Sequence, residues 1–174
     1  EDGFLGESLD AEYRQLNLSA APRIVQASTG EEALALLEER PIDLVITMTR
    51  LGEMAVHDFG RAVKEKRPGL PVVVLAYSPS EAARLKEGTQ QDHIDQVFVW
   101  RGDVRIFLAI IKYVEDRRNV ARDTEIAGVR VILLIENSVA FYSSYLPLLY
   151  TELMRQNQSL MADGVNAMER LRRM

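Results

Sequence analysis

The sequence contains no cysteine, and this absence excludes several classes of protein at once. A disulfide-stabilised scaffold, a zinc site built from thiolates and a cysteine nucleophile all require a residue that is missing here. A glycine-rich phosphate loop is missing too. Gly52, Gly60 and Gly69 stand alone and do not form the spaced triplet of a dinucleotide site.

Long hydrophobic runs and an excess of basic residues are also absent. The longest apolar runs, Val72–Ala76 and residues 131–135, are far shorter than the roughly 20 residues that a membrane span requires. Lys and Arg number 21 against 26 Asp and Glu, so the net charge of −5 argues against a nucleic-acid surface. The acidic start, Glu1-Asp2-Gly3, does not fit a signal peptide. We therefore expect a cytoplasmic protein with neither a membrane nor a nucleic-acid partner, and the first residue, which is not Met, predicts a fragment or processed product.

Short apolar segments alternate with helical patterns along most of the chain. Five segments are predicted as strands: residues 23–27, 43–48, 71–76, 96–100 and 129–135. Ser28-Thr29-Gly30-Glu31 and Ser78-Pro79-Ser80-Glu81 have the form of capping boxes, in which a hydroxyl caps the helix and a glutamate reaches back. This alternation predicts an α/β fold, a three-layer sandwich with a five-stranded parallel sheet between helices.

The chain ends in a long helical pattern that begins at Val139. Its apolar side carries more large side chains than a solitary solvated helix should expose. These residues are Phe141, Tyr145, Leu148, Leu149 and Leu153. The pattern fits a helix packed on its own sheet, or a dimer or interdomain contact, which the length of the helix favours slightly.

Two fragments carry a family resemblance, Ser28-Thr29-Gly30-Glu31-Glu32-Ala33-Leu34 and Pro41-Ile42-Asp43-Leu44-Val45-Ile46. They resemble the second helix and third strand of the response-regulator receiver domain, whose doubly wound sheet is flavodoxin-like. The resemblance covers about Leu5 to Asn119. Residues 1–18 and 131–150 are also similar to receiver-like segments of bacterial proteins associated with phosphoenolpyruvate synthase.

The resemblance implies four chemical roles at the carboxyl ends of the strands. A receiver has a nucleophilic aspartate after its third strand, a hydroxyl after the fourth, a lysine after the fifth and an acidic pair that holds Mg²⁺ after the first. Here the aspartate position falls on Met48, the hydroxyl position on Ala76 and the lysine position on Trp100. Because a thioether cannot accept a phosphoryl group as a stable acyl phosphate, the sequence predicts no phosphotransfer.

The order of the elements departs from the family, because the chain begins at what resembles the first receiver helix. A strand that resembles the first receiver strand comes late, at residues 131–135, before Glu136 and Asn137. The predicted division is a receiver-like domain at 1–119, a linker at 120–128, and the first strand and helix of a second receiver-like unit at 129–174. Either the chain is a truncated tandem, or the late strand fills the vacant slot of the first sheet, within the chain or in a partner. Even then Glu136 gives only a weak Mg²⁺ site, since one carboxylate rarely holds this ion alone.

These observations predict a pseudo-receiver that is not an enzyme and requires no cofactor. It would act in bacterial signal transduction through protein–protein contacts and form a homodimer. In one form of this prediction the two copies exchange a strand. The predicted interaction residues are Trp100, Arg101, Phe141, Tyr145 and Leu149. Two alternatives stay open: an active divergent receiver of a phosphorelay that uses Mg²⁺ and an unorthodox acceptor, and a flavodoxin-like domain that binds a small ligand.

Overall fold

The computed structural model describes residues 2–16, 22–86 and 93–172, and the side chains of 6–16, 22–86, 93–126 and 128–156. The helices in these ranges are α1 (Asp2–Gln15), α2 (Gly30–Glu39), α3 (Val56–Lys66), α4 (Pro79–Lys86), α5 (Arg105–Ala127) and α6 (Val139–Arg172). The strands are β1 (Val45–Met48), β2 (Arg50–Leu51), β3 (Met54–Ala55), β4 (Val72–Ala76) and β5 (Gln96–Val99). None of these helices is long and apolar enough to cross a membrane.

A parallel sheet with the strand order β1-β4-β5 forms the centre of the fold. All five residues of β4 are buried, as expected for a central strand whose continuous apolar run packs against helices on both faces. In the register of the sheet, Met48 lies opposite Leu75, and Ala76 lies opposite Val99. The carboxyl ends of the three strands therefore lie side by side.

Helices cover both faces of this sheet. On one face, Ile106 and Ile110 of α5 join Val73, Leu75 and Phe98 in a single buried cluster. On the other face, α3 buries Phe59 and Val63 beside Leu37 of α2, and α4 buries Ala82. Helix α1 lies outside α5, where Leu9, Tyr13 and Leu16 pack around Leu108. The doubly wound three-layer arrangement predicted from the sequence is confirmed.

Both predicted capping boxes are present, the first of them one residue later than predicted. Thr29, not Ser28, caps α2, since its hydroxyl accepts a hydrogen bond from the Glu32 amide at 3.1 Å. Glu32, not Glu31, reaches back, and its carboxylate accepts from the Ser28 amide at 2.7 Å. At α4 the predicted pair is correct, because the Ser78 hydroxyl accepts from the Glu81 amide at 3.2 Å.

Helix α6 runs along the edge of β5 and closes that side of the sheet. Tyr142 and Leu146 join the cluster on the α5 face, while Val139 and Ala140 pack against the cluster on the α4 face. The amide of Val99 would otherwise face outward from this edge. It donates to the buried hydroxyl of Ser143 at 2.8 Å, and Ser143 in turn donates to the carbonyl of Val139 at 2.6 Å. A helix side chain thus satisfies a backbone group that would usually pair with another strand.

The prediction of five strands was wrong in number, since the described residues form a three-stranded parallel sheet. Residues 22–27 and 129–135 form no ladder, and the side chains of residues 129–135 are exposed. The short antiparallel pair β2–β3 was not predicted. The segment predicted as a linker at 120–128 is helical as far as Ala127, where Gly128 ends α5 in a left-handed conformation (φ 62°) that suits glycine.

Candidate functional site at the carboxyl edge of the sheet

Three residues at the ends of adjacent strands define the candidate site: Met48 and Ala76 end β1 and β4, and Trp100 directly follows β5. The structure brings them to one edge, as the sequence predicted, because β1, β4 and β5 run parallel and in register. The amide of Trp100 donates to the carbonyl of Ala76 at 2.8 Å, so the ladder between β4 and β5 continues to the last residue. In α/β sheets of this kind, ligands bind beyond this edge.

The side chains at these positions are apolar, and they pack inward. Met48 and Trp100 are half-buried against the same core cluster beneath α5, and Ala76 is fully buried. The ring of Trp100 meets that of Phe107 edge to face, with centroids 5.3 Å apart. These three positions therefore supply none of the charged groups that a phosphoryl-transfer site needs.

The carboxylate of Glu81 lies at this edge, and both of its oxygens accept hydrogen bonds. Glu81, in the first turn of α4, accepts a hydrogen bond from the Thr49 hydroxyl at 2.6 Å and another from the Tyr77 amide at 2.7 Å. Thr49 follows β1 and Tyr77 follows β4. Glu81 therefore links the loop after the Met48 position to the loop after the Ala76 position, a contact we call the Glu81 bridge.

Hydrogen bonding sets the charge state of the Glu81 bridge. The Thr49 hydroxyl, followed by the Tyr77 amide, holds the pKa of the Glu81 carboxyl below its ordinary value of 4.5. A carboxyl whose pKa falls on folding stabilises the native state above its unfolded-state pKa, and this contribution is lost as the pH falls through the lowered value. The bridge is therefore intact at neutral pH.

We expect Glu81→Gln to lower the free energy of unfolding at pH 7 by about 1 kcal/mol, because it replaces charge-assisted hydrogen bonds with neutral ones at a largely solvated position. Equilibrium unfolding in urea at several pH values measures this difference. Below the pKa of Glu81 the wild type and the variant should converge, whereas Glu65→Gln, the same change at an exposed position of α3, should match the wild type at pH 7. A difference that persists in acid would show that the carboxylate charge does not carry the effect.

The predicted Mg²⁺ ligand, Glu136, lies at the opposite end of the sheet. It lines a hollow of about 190 Å³ with Gln96 and Val97, the first residues of β5, and its carboxylate accepts from the Ser138 amide at 2.8 Å. It is thus separated from Met48, Ala76 and Trp100 within one chain. No group of three or more potential metal-binding side chains occurs within the described ranges.

The predicted interaction residues fall into two surfaces. Trp100 is half-buried and its neighbour Arg101 is exposed, both at the carboxyl edge. Phe141 and Tyr145 are exposed on α6, where their rings stack with centroids 6.0 Å apart. Leu148, not Leu149, continues this exposed stripe, since Leu149 is half-buried.

Comparison with solved structures identifies the fold as that of response-regulator receiver domains. A protein described as a redox sensor of the streptococci, evolved from two-component response regulators, superposes over 77% of this chain with a TM-score of 0.56 and 19% identity. The receiver domain of AraT, a response regulator from Geobacillus stearothermophilus, superposes over 69% of this chain and 91% of its own length, with a TM-score of 0.50 and 16% identity. This chain spans about half, 54%, of the streptococcal protein. No family model and no curated protein matches the sequence.

Proposed function

We propose that this chain is a pseudo-receiver, a receiver-fold module of bacterial signal transduction that acts by protein–protein contact without aspartyl phosphorylation. One observation carries the proposal: the residue that ends β1 is Met48, and it packs into the core beside β4. A receiver at this position needs an exposed carboxylate that can attack a phosphoryl donor. The methionine sulfur offers no such acceptor.

The Glu81 bridge is a second observation that supports the same proposal. In a phosphorylated receiver, the phosphoryl group would join the acceptor loop to the hydroxyl after the fourth strand. Here a carboxylate of the chain itself joins the two corresponding loops, through Thr49 and the backbone of Tyr77. The proposed module is therefore held in one arrangement by its own side chains and requires no donor.

Glu81 is also the residue on which an active divergent receiver would depend. Its carboxylate lies at this edge, and it is ionised at neutral pH because its pKa is below the ordinary value. Both of its oxygens are occupied by hydrogen bonds, from the Thr49 hydroxyl and the Tyr77 amide. These contacts favour a structural role for Glu81.

A ligand-binding function has less support. The hollow beside Glu136 measures about 190 Å³, and a second one, beside Asp95 and Arg117, about 200 Å³. Both are smaller than the roughly 300–1,000 Å³ of typical small-molecule pockets. Neither lies at the carboxyl edge, where flavodoxin-like sheets bind their ligands.

The partner in the proposed function is another protein, and we include a homodimer in the proposal. The stripe of Phe141, Tyr145 and Leu148 on α6 and the rim at Trp100 and Arg101 are the surfaces offered to a protein other than a second copy of this chain. The streptococcal neighbour is described as a sensor that evolved from response regulators, which supports a signalling role for an altered receiver fold. With no cysteine in this chain, sensing through a thiol is excluded here. The similarity of residues 1–18 and 131–150 to segments associated with phosphoenolpyruvate synthase stays a prediction.

The test is intact-mass spectrometry after incubation with a small phosphodonor and Mg²⁺, with an active receiver domain as the positive control. We expect the wild-type mass to stay unchanged while the control gains a phosphoryl group. A Met48→Asp variant run alongside examines the register, since a gain of mass in this variant alone would assign the acceptor position to residue 48. A phosphoryl group on the wild-type chain, mapped to Glu81 or elsewhere, would contradict the proposal.

A further inference from the structure

An apolar segment of seven residues, 129–135, joins none of the hydrophobic core clusters of the described part of the chain. Its sequence is Val-Arg-Val-Ile-Leu-Leu-Ile, and the side chains of Leu133 and Ile135 are 82% and 84% exposed. Val131 and Ile132 are exposed as well. A segment with large apolar residues on both alternating faces is typical of a strand buried on both sides. In this chain, the apolar side chains of the segment are 40–84% exposed, with Leu134 the least exposed and Ile135 the most.

The same chain contains a strand edge that lacks a neighbour. Within the described residues β1 pairs with β4 on one side, and no strand pairs with it on the other. Val45, Ile46 and Met48 are only half-buried, whereas β4 beside them is fully buried. An open edge next to incompletely covered apolar side chains accepts an added strand readily.

Helix α6 keeps the segment away from this edge within one chain. Ile135 is followed after three residues by Val139, which packs near Val97 at the start of β5, and α6 is anchored there through Ser143. The slot beside β1 lies three strand spacings from β5, about 14 Å. Four residue steps span at most about 14 Å. The residues between Ile135 and Val139 would also have to cover the length of β5 and pass around its edge. The segment can therefore reach the slot beside β1 of its own chain only if α6 leaves β5.

We propose that residues 129–135 of one copy add as a strand along β1 of a second copy, so that two chains complete each other's sheets. Each chain holds one donor segment and one acceptor edge, and this makes the exchange reciprocal in a dimer with two-fold symmetry. The inference rests on the proposed function, because it names a second copy of this chain as the protein partner. The exposed run and the open edge are its two independent observations.

The first test uses the absence of cysteine, which makes single-cysteine variants of the chain specific. Leu133→Cys, carrying a size tag, is mixed with an untagged chain that bears Val45→Cys, Ile46→Cys or Thr47→Cys, and the mixture is oxidised. We expect a disulfide-linked species of mixed size for at least one β1 position. Glu65→Cys on the exposed surface of α3 should give none. If no β1 position cross-links between chains, or if Leu133→Cys/Ile46→Cys closes only within a monomer, the exchange is wrong.

The second test compares two matched double variants by light scattering and sedimentation over a range of concentrations. Leu133→Lys/Ile135→Lys changes two exposed residues of the donor segment, so folding of the isolated chain is unaffected. The Kd of the dimer should rise by about a hundredfold or more, because each lysine would be desolvated without a partner. Phe141→Lys/Leu148→Lys, on the exposed stripe of α6, should leave the dimer intact.

Each contrary outcome has a definite meaning. A dimer that the α6 variant abolishes and the segment variant preserves would assign the interface to α6 and overturn the exchange. A wild-type chain that stays monomeric at all concentrations would overturn it as well. Both results leave the unphosphorylated pseudo-receiver standing if the intact mass is unchanged by phosphodonor. Conversely, a phosphorylated wild type that still cross-links would overturn only the proposed function.

Discussion

Truncation of Phe98 to alanine is expected to lower the free energy of unfolding by about 3–5 kcal/mol, the range for removal of a buried aromatic ring. Phe98 is fully buried in β5, where the two helices on this side of the sheet meet. Its ring packs edge to face on Tyr113 of α5, with centroids 6.1 Å apart, and stacks on Tyr142 of α6 at 5.8 Å. Its loss would leave a cavity that neither helix can fill without moving.

Equilibrium unfolding in urea, at a concentration where the chain is monomeric, measures this effect. Phe141→Ala is the matched control, because it removes the same side chain from a position that is 57% exposed. Its effect should stay within about 0.5 kcal/mol. Equal effects for the two variants would contradict the packing of α5 and α6 around β5.

The second large effect is expected from Ser143→Ala, which removes one buried oxygen from α6. The amide of Val99 would then face the edge of the sheet without a hydrogen-bond partner. Leaving a buried donor unpaired costs about 1–3 kcal/mol, more than the loss of an ordinary hydrogen bond. The loss should be accompanied by faster hydrogen exchange at the Val99 amide, which NMR measures residue by residue.

Ser144→Ala provides a close control for this substitution. The Ser144 hydroxyl also donates to a carbonyl one turn earlier, that of Ala140, at 2.9 Å, but it receives no bond from the sheet. We expect its effect on stability to be within about 0.5 kcal/mol and exchange at Val99 to be unchanged. If both serine variants behave alike, the hydroxyl of Ser143 does not hold α6 on β5.

The core of this fold could be predicted from local sequence, because its strands are continuous apolar runs. Val72–Ala76 and the runs that end at Met48 and Val99 are largely apolar, so the local sequence alone indicates that they are core strands. The resemblance to receivers then placed Met48, Ala76 and Trp100 at a common edge. In the structure, Met48 and Ala76 end β1 and β4, and Trp100 directly follows the neighbouring parallel strand β5.

The number of strands could not be predicted in this way, since a strand exists only when another strand pairs with it. Residues 129–135 have a stronger apolar pattern than β5, yet they form no ladder because α6 occupies the β5 edge. The link between Thr49 and Glu81 was also missed. The two residues are 32 positions apart, and the capping box at Ser78 accounted for Glu81 without a further partner.

Because α6 covers the outer edge of β5, it also limits how many molecules of this protein can pair edge to edge through their sheets. A sheet with two open edges can extend from molecule to molecule without end, which is the route to fibrous aggregates. This sheet has a helix along one side, so edge-to-edge growth that begins at β1 stops after two molecules. For variants that loosen α6, such as Ser143→Ala, solubility over days should therefore be measured as well as the free energy of unfolding.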